Sequence, residues 1–105
     1  LPENGDRLVL NKLQQVQQEV HLVAASLHAG EAAGGIKRMG GVVEGLQDLI
    51  GLLAGILVAE GEIDKFNRML QEILQAWENT DYVQMADLLH YELIPQLEQW
   101  ERQVN

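Results

Sequence analysis

The sequence predicts an all-α fold, an antiparallel up-down-up-down four-helix bundle, on three observations. Large apolar residues recur in alternating steps of three and four along most of the chain, the spacing of a helical seam. Four such segments are joined by short connections, so neighbours run antiparallel. The 105 residues, with no repeat beyond the heptad and no low-complexity linker, suit one domain over residues 1–105, large enough for a core without disulfides or a metal.

Residues 1–5 contain Pro2 and Gly5 and read as a frayed tail, with Asp6 capping helix 1. Val9, Leu13, Val16, Val20, Val23 and Leu27 then carry that helix over about 6–29, and Gly30 falls where a left-handed cap favours glycine. Gln14, Gln15, Gln17 and Gln18 read as exposed polar filler on its outer face.

Helix 2, over 31–59, holds seven of the ten glycines, yet Ile36, Met39, Val43, Leu46, Ile50, Leu53 and Leu57 keep helical time. Seven interior glycines would cost about 6 kcal/mol relative to alanine, comparable with the stability of a small domain. Either part of the segment is loop, or the glycines let another helix approach and packing offsets the loss. The unbroken heptad phase through Gly40 and Gly41 favours a continuous or kinked helix, read as the central helix of the bundle. On this phase the outward positions include Gly41, Glu44, Gly45, Asp48, Gly51, Leu52, Gly55, Val58 and Ala59, uncharged from Gly51 onward. Two readings stay open: helix 2 is the most central helix of one bundle, or Gly51, Leu52, Gly55, Val58 and Ala59 form a self-association surface.

Glu60-Gly61-Glu62 turns the chain into helix 3, about 62–78, with Ile63, Phe66, Leu70, Ile73 and Trp77 inward. Asp81 with Gln84 three residues on makes a capping box for helix 4, about 82–104. Tyr82, Ala86, Leu89 and Leu93 point inward; then two consecutive steps of four lead to Leu97. Pro95 lies at this slip and predicts a kink or restart. Leu88, Tyr91 and Ile94 fall off the seam and read as a partner-binding strip.

The net charge of −9 divides into −2 over residues 1–59 (six acids, four bases) and −7 over 60–105 (ten acids, three bases). So acidic a surface repels phosphate backbones and anionic lipid, so no nucleic-acid partner is expected. The longest apolar run, Leu49 to Ala59, is 11 residues, whereas a membrane span needs roughly 20. With no secretory pattern at the N-terminus, a cytoplasmic location is expected.

Chemistry has little to draw on. There is no cysteine, Ser26 is the lone serine and Thr80 the lone threonine, which leaves no nucleophile set for a hydrolytic triad. No Gly-Lys-Ser or Gly-Lys-Thr phosphate loop occurs. Asp87 and His90 are three apart on one helix, the spacing of the Glu-x-x-His element of di-iron bundles, and are the metal candidates. A full set would also need inward carboxylates, for which Glu44 and Asp48 lie off the seam; His21 and His28 read as surface residues. No enzyme activity and no cofactor are expected.

Phe66-Asn67-Arg68-Met69-Leu70, Ala76-Trp77-Glu78-Asn79-Thr80-Asp81-Tyr82 and Ala86-Asp87-Leu88-Leu89-His90-Tyr91-Glu92-Leu93-Ile94-Pro95 together resemble a small family of uncharacterised bacterial all-helical proteins. Residues 66–95 also faintly resemble the helical hairpin of flagellar export chaperones. The first resemblance implies a fold and no activity; the second implies chaperone-like binding of a client protein. The expectation is therefore a non-enzymatic protein–protein interaction module, a homodimer or higher oligomer with a protein partner. The alternative is a metal–carboxylate bundle.

Overall fold

The computed structural model describes residues 2–54 and 60–104, with the side chains of 7–54 and 61–104. It is all-helical: α1 (Pro2–His28), α2 (Ala32–Leu53), α3 (Glu60–Glu78), and a fourth rod made of α4 (Tyr82–Leu88), a π-helical turn (Leu89–Leu93) and α5 (Ile94–Val104). No strand occurs among the described residues. The four-helix bundle expected from the apolar spacing is the observed architecture.

Helix α1 starts at Pro2 rather than at Asp6. Proline suits a first helical turn, where its missing N–H is no loss. The helix ends as expected: Gly30 has φ +80, its N–H donates to the Leu27 carbonyl, and the Glu31 N–H donates to that of Ser26 (2.8 Å). This paired arrangement is a Schellman cap. The α3–α4 turn repeats it, with Thr80 N–H to Trp77 O and Asp81 N–H to Ala76 O. There the left-handed position is held by a threonine, Thr80, at φ 54. Asp81 then caps α4, its carboxylate accepting the Gln84 N–H at 3.1 Å.

The helix on which the others gather is α1, not α2. One side of α1 packs along α2, and the other along α4, the π turn and α5; α3 lies closest to α4. The close approach of α2 rests on Gly35 and Gly45. A Cβ at Gly35 would lie 3.3 Å from Leu27 Cδ2, and one at Gly45 3.1 Å from Val16 Cγ2. The core phase of α2 is accordingly Gly35, Met39, Val42, Leu46, Leu49 and Leu53, with Gly45 alongside. Ile36, Val43 and Ile50 flank it half-buried. The apolar residues alone misplaced the seam because two of its contact positions are glycines. Helix α2 continues without a break through Gly40 and Gly41 to Leu53. The expected extension through Gly55, Leu57, Val58 and Ala59 lies outside the described residues.

The fourth rod resolves the phase slip before Pro95. Proline's ring would press on the Tyr91 carbonyl in a regular turn. Instead the turn widens, and the Ile94 N–H donates to the Leu89 carbonyl five residues back. The extra residue in such a turn shifts the phase of the rod, and Leu88, Leu89, Leu93 and Ile94 are all buried. Leu88 is 9% exposed and Ile94 4%. The sequence expectation that Leu88, Tyr91 and Ile94 form one exposed strip is thereby corrected: of the three only Tyr91, 68% exposed, faces outward.

Trp100 closes the core against Phe66, with ring centroids 4.8 Å apart; it is fully buried. Among the described residues no polar or charged residue is buried. Apolar burial, at roughly 25 cal/mol per Å², therefore holds the bundle together.

Candidate functional site: an imidazole and aromatic face on α1 and α4

The C-terminal turn of α1 lies against the fourth rod because the two helices run antiparallel: Gln14 and Gln17 meet Glu101, and His28 meets Asp87. Val83, Asp87 and His90 step by four and three along one face of that rod, the spacing of helical neighbours. His28 reaches this face from α1. Its Nε2 is 3.9 Å from Asp87 Oδ1, and its ring meets that of His90 edge to face, centroids 5.7 Å apart. Tyr91 continues the row, its ring 4.6 Å from that of His90 and again edge-on. Two histidines, a carboxylate and a phenol thus share one surface, with Val83 standing 75% exposed beside them. Edge-to-face contact is a preferred aromatic geometry, so His28, His90 and Tyr91 form one continuous row on the surface.

The expected metal candidates are separated by the fold. Asp87 and His90 belong to this face, whereas Asp48 pairs with Lys12 at 3.6 Å. Lys12 is 16 residues before His28 on α1, about 24 Å along a helix. Glu44 and Asp48 instead line an open groove of about 220 Å³ between α1 and α2, floored by Val16, Gly41 and Gly45. One bundle centre cannot draw ligands from both places. Among the described residues no group of three or more His, Asp or Glu side chains is placed to hold a metal ion.

His28 is the residue that sequence reasoning passed over. It lies off the apolar seam of α1, and only the antiparallel register of α1 against α4 brings it to Asp87. His21, seven residues earlier, is exposed and has no such neighbour among the described contacts. Two of the four glutamines read as polar filler have a partner: the Gln17 amide donates to Glu101 Oε1 at 2.7 Å and the Gln14 amide to Oε2 at 3.3 Å. These two bonds, Gln17's the larger influence, hold the Glu101 carboxyl below its ordinary value.

The expected self-association residues divide. Gly51 is exposed, with nothing within 4 Å of an added Cβ, and Leu52 is half-buried against the core. Gly55, Val58 and Ala59 lie outside the described residues. No described helix is long and apolar enough to cross a membrane.

Fold and surface together define an all-α helical bundle whose most distinctive outward feature is this imidazole and aromatic face. The chain belongs to the DUF8042 family, a domain of unknown function, whose model matches residues 8–103. An all-helical domain without an assigned activity is what the sequence resemblance implied; no link to flagellar export chaperones accompanies the match. No curated protein and no solved structure matches the chain.

Proposed function

We propose that this protein is a non-enzymatic interaction module, cytoplasmic, that self-associates and binds another protein. The observation that carries the reading is the exposure of Tyr91 and Val83 on the face shared by α1 and the fourth rod. Tyrosine at an exposed surface position is a usual interface anchor. The acidic second half of the chain biases partner choice towards basic surfaces.

The self-association part rests on α2, where Gly51 offers bare backbone beside Leu52 and small residues let a second helix approach closely. The non-enzymatic part is supported by the scarcity of nucleophiles: Thr80 is committed to a turn, its hydroxyl donating to the Asn79 carbonyl at 2.7 Å.

Light scattering on purified protein tests the assembly. A dimer or larger at about 50 μM, reduced to monomer by Gly51→Glu, is the expected result. A monomeric wild type removes self-association. For the partner surface, the proteins retained from native lysate by wild type are compared with those retained by Tyr91→Ala. Loss of a specific band in the variant supports the assignment, and identical retention excludes Tyr91 as the anchor.

A further inference from the structure

Helix α2 packs along α1, and its outward row, with Lys37, Gly40, Gly41, Glu44 and Gly51, is exposed. A Cβ added at Gly40, Gly41 or Gly51 would meet nothing within 4 Å. These glycines therefore weaken the helix without letting another part of the chain approach. The row is also balanced in charge: Lys37 lies three residues before Gly40 and Glu44 three after Gly41. Among the described residues neither has an ion-pair partner, and at seven residues, about 10 Å along the helix, they are too far apart to meet each other. A two-fold axis between Gly40 and Gly41 sets Lys37 of one copy across from Glu44 of a second, and does so twice.

Beside this row lies the groove of about 220 Å³ between α1 and α2, lined by Glu44 and floored by Gly41 and Gly45. Lys12 pairs with Asp48 and Glu19 with Arg38 between the two helices, both at 3.6 Å. Gln15 belongs to the α1 wall of the groove. Leu22, seven residues further along the same line of α1, is 41% exposed. The contact of Val16 with Gly45 fixes the antiparallel register and puts Leu22 level with Met39. The same two-fold axis carries Leu22 to the level of Val42 in the second copy, a residue of the groove.

We propose that two copies of this chain associate through α2, antiparallel about Gly40 and Gly41, with Lys37 paired to Glu44 across the axis and Leu22 of each copy seated in the α1–α2 groove of the other. Resting on the self-association proposed above, this arrangement gives it a surface and a symmetry. The interface is isologous, one patch meeting itself, and glycines at the crossing let the backbones come close. Charge favours this side of the bundle: residues 1–59 carry −2 and residues 60–105 carry −7, so two copies repel least here. The same register sets Gly51 opposite the α1–α2 turn of the second copy, at the level of Glu31, where the Gly51→Glu substitution meets a like charge.

Sedimentation velocity on the 105-residue chain tests it by exchanging the two charges. Lys37→Glu and Glu44→Lys are each expected to weaken the dimer about tenfold or more. The double variant, which restores opposite charges across the axis, is expected to return to within about threefold of wild type. Glu44→Lys replaces −1 by +1 and moves the net charge from −9 to −7, so a mere easing of repulsion would tighten the dimer instead. Leu22→Glu is expected to leave monomers at about 50 μM, with circular dichroism checking that the fold is kept. Lys37 and Glu44 are both exposed, so their variants leave the core intact. A monomeric wild type overturns this arrangement together with the self-association reading. A wild-type dimer insensitive to both single charge reversals overturns the arrangement alone and leaves self-association to another face. So does a dimer weakened by each reversal and not recovered in the double variant.

Discussion

Gly45 stands so close to Val16 that a Cβ added to it would lie 3.1 Å from Val16 Cγ2. Valine in a helix has one strongly preferred rotamer, so Val16 yields to a new methyl only if the helices part. Gly41, one turn earlier on α2, would meet nothing within 4 Å. The two glycines therefore answer alanine differently. Gly41→Ala gains helix propensity, about 0.8–1 kcal/mol, and is expected to raise the melting temperature. Gly45→Ala gains the same propensity but overpacks a fitted contact, a loss of about 1–3 kcal/mol. Chemical denaturation is expected to separate the two variants by at least about 1 kcal/mol. Equal stabilisation would show that α1 and α2 separate freely at this point.

The α1–α2 and α3–α4 turns share one backbone geometry, but only one has the residue suited to it. Thr80 at φ 54 carries a branched side chain in the left-handed region, at a cost of about 1–2 kcal/mol. Thr80→Gly relieves that strain and adds disorder to the unfolded chain, for a net gain of about 0.5–1 kcal/mol. Gly30→Ala imposes the same strain on the first turn and is expected to lower stability by about 1 kcal/mol. Opposite shifts in denaturation midpoint check the pair; a fall in both would mean that the Thr80 hydroxyl bond to Asn79 outweighs backbone strain.

The π turn makes a sharp distinction between two adjacent parts of the fourth rod. Leu88 is packed in the core, and Tyr91 is largely solvated. Leu88→Ala should cost about 2–4 kcal/mol through lost burial and a cavity. Tyr91→Ala should change stability by less than about 0.5 kcal/mol. Urea titrations distinguish them. A large loss from both variants would place Tyr91 in a packed setting that the bundle does not provide.

Much of the bundle could be read from spacing alone. Val9, Leu13, Val16, Val20 and Val23 are core residues at the positions their periodicity predicts, as are Phe66, Leu70, Ile73, Leu97 and Trp100. Periodicity counts large side chains, however, and α2 meets α1 through two positions that have none. Gly35 and Gly45 left the seam to be inferred from their neighbours, which rotated it onto Ile36, Val43 and Ile50. The fourth rod failed differently: Leu88 and Ile94 look peripheral on a regular helix, and only a turn closed five residues back brings them inward. The consecutive steps of four from Leu89 to Leu93 to Leu97, with Pro95 inside the second, are the available sign. The cluster of His28 with Asp87 and His90 depends on register between helices distant in sequence, which no local pattern encodes. Asp87 and His90 were visible as a pair, and their third member was not.

Glu101 gives the bundle a pH dependence whose sign follows from its partners. Its ionised carboxylate accepts hydrogen bonds from Gln17 and, less strongly, Gln14; Arg102 assists slightly, and desolvation opposes them. The folded protein therefore keeps Glu101 ionised below the ordinary value of 4.5, while the unfolded chain does not. Above about pH 5 both states are ionised and the stabilisation is fully present. As pH falls through 4.5, the unfolded state takes up its proton first, and the contribution fades until the folded carboxyl is also protonated. Glu101→Gln keeps the shape but removes the charge that the two amides recognise. The variant is expected to be less stable than wild type at about pH 7, with the gap closing towards about pH 3. Denaturant midpoints measured at both values check the effect. A gap that stays constant with pH would mean that Glu101 contributes through side-chain packing alone, and that Gln14 and Gln17 clasp its shape rather than its charge.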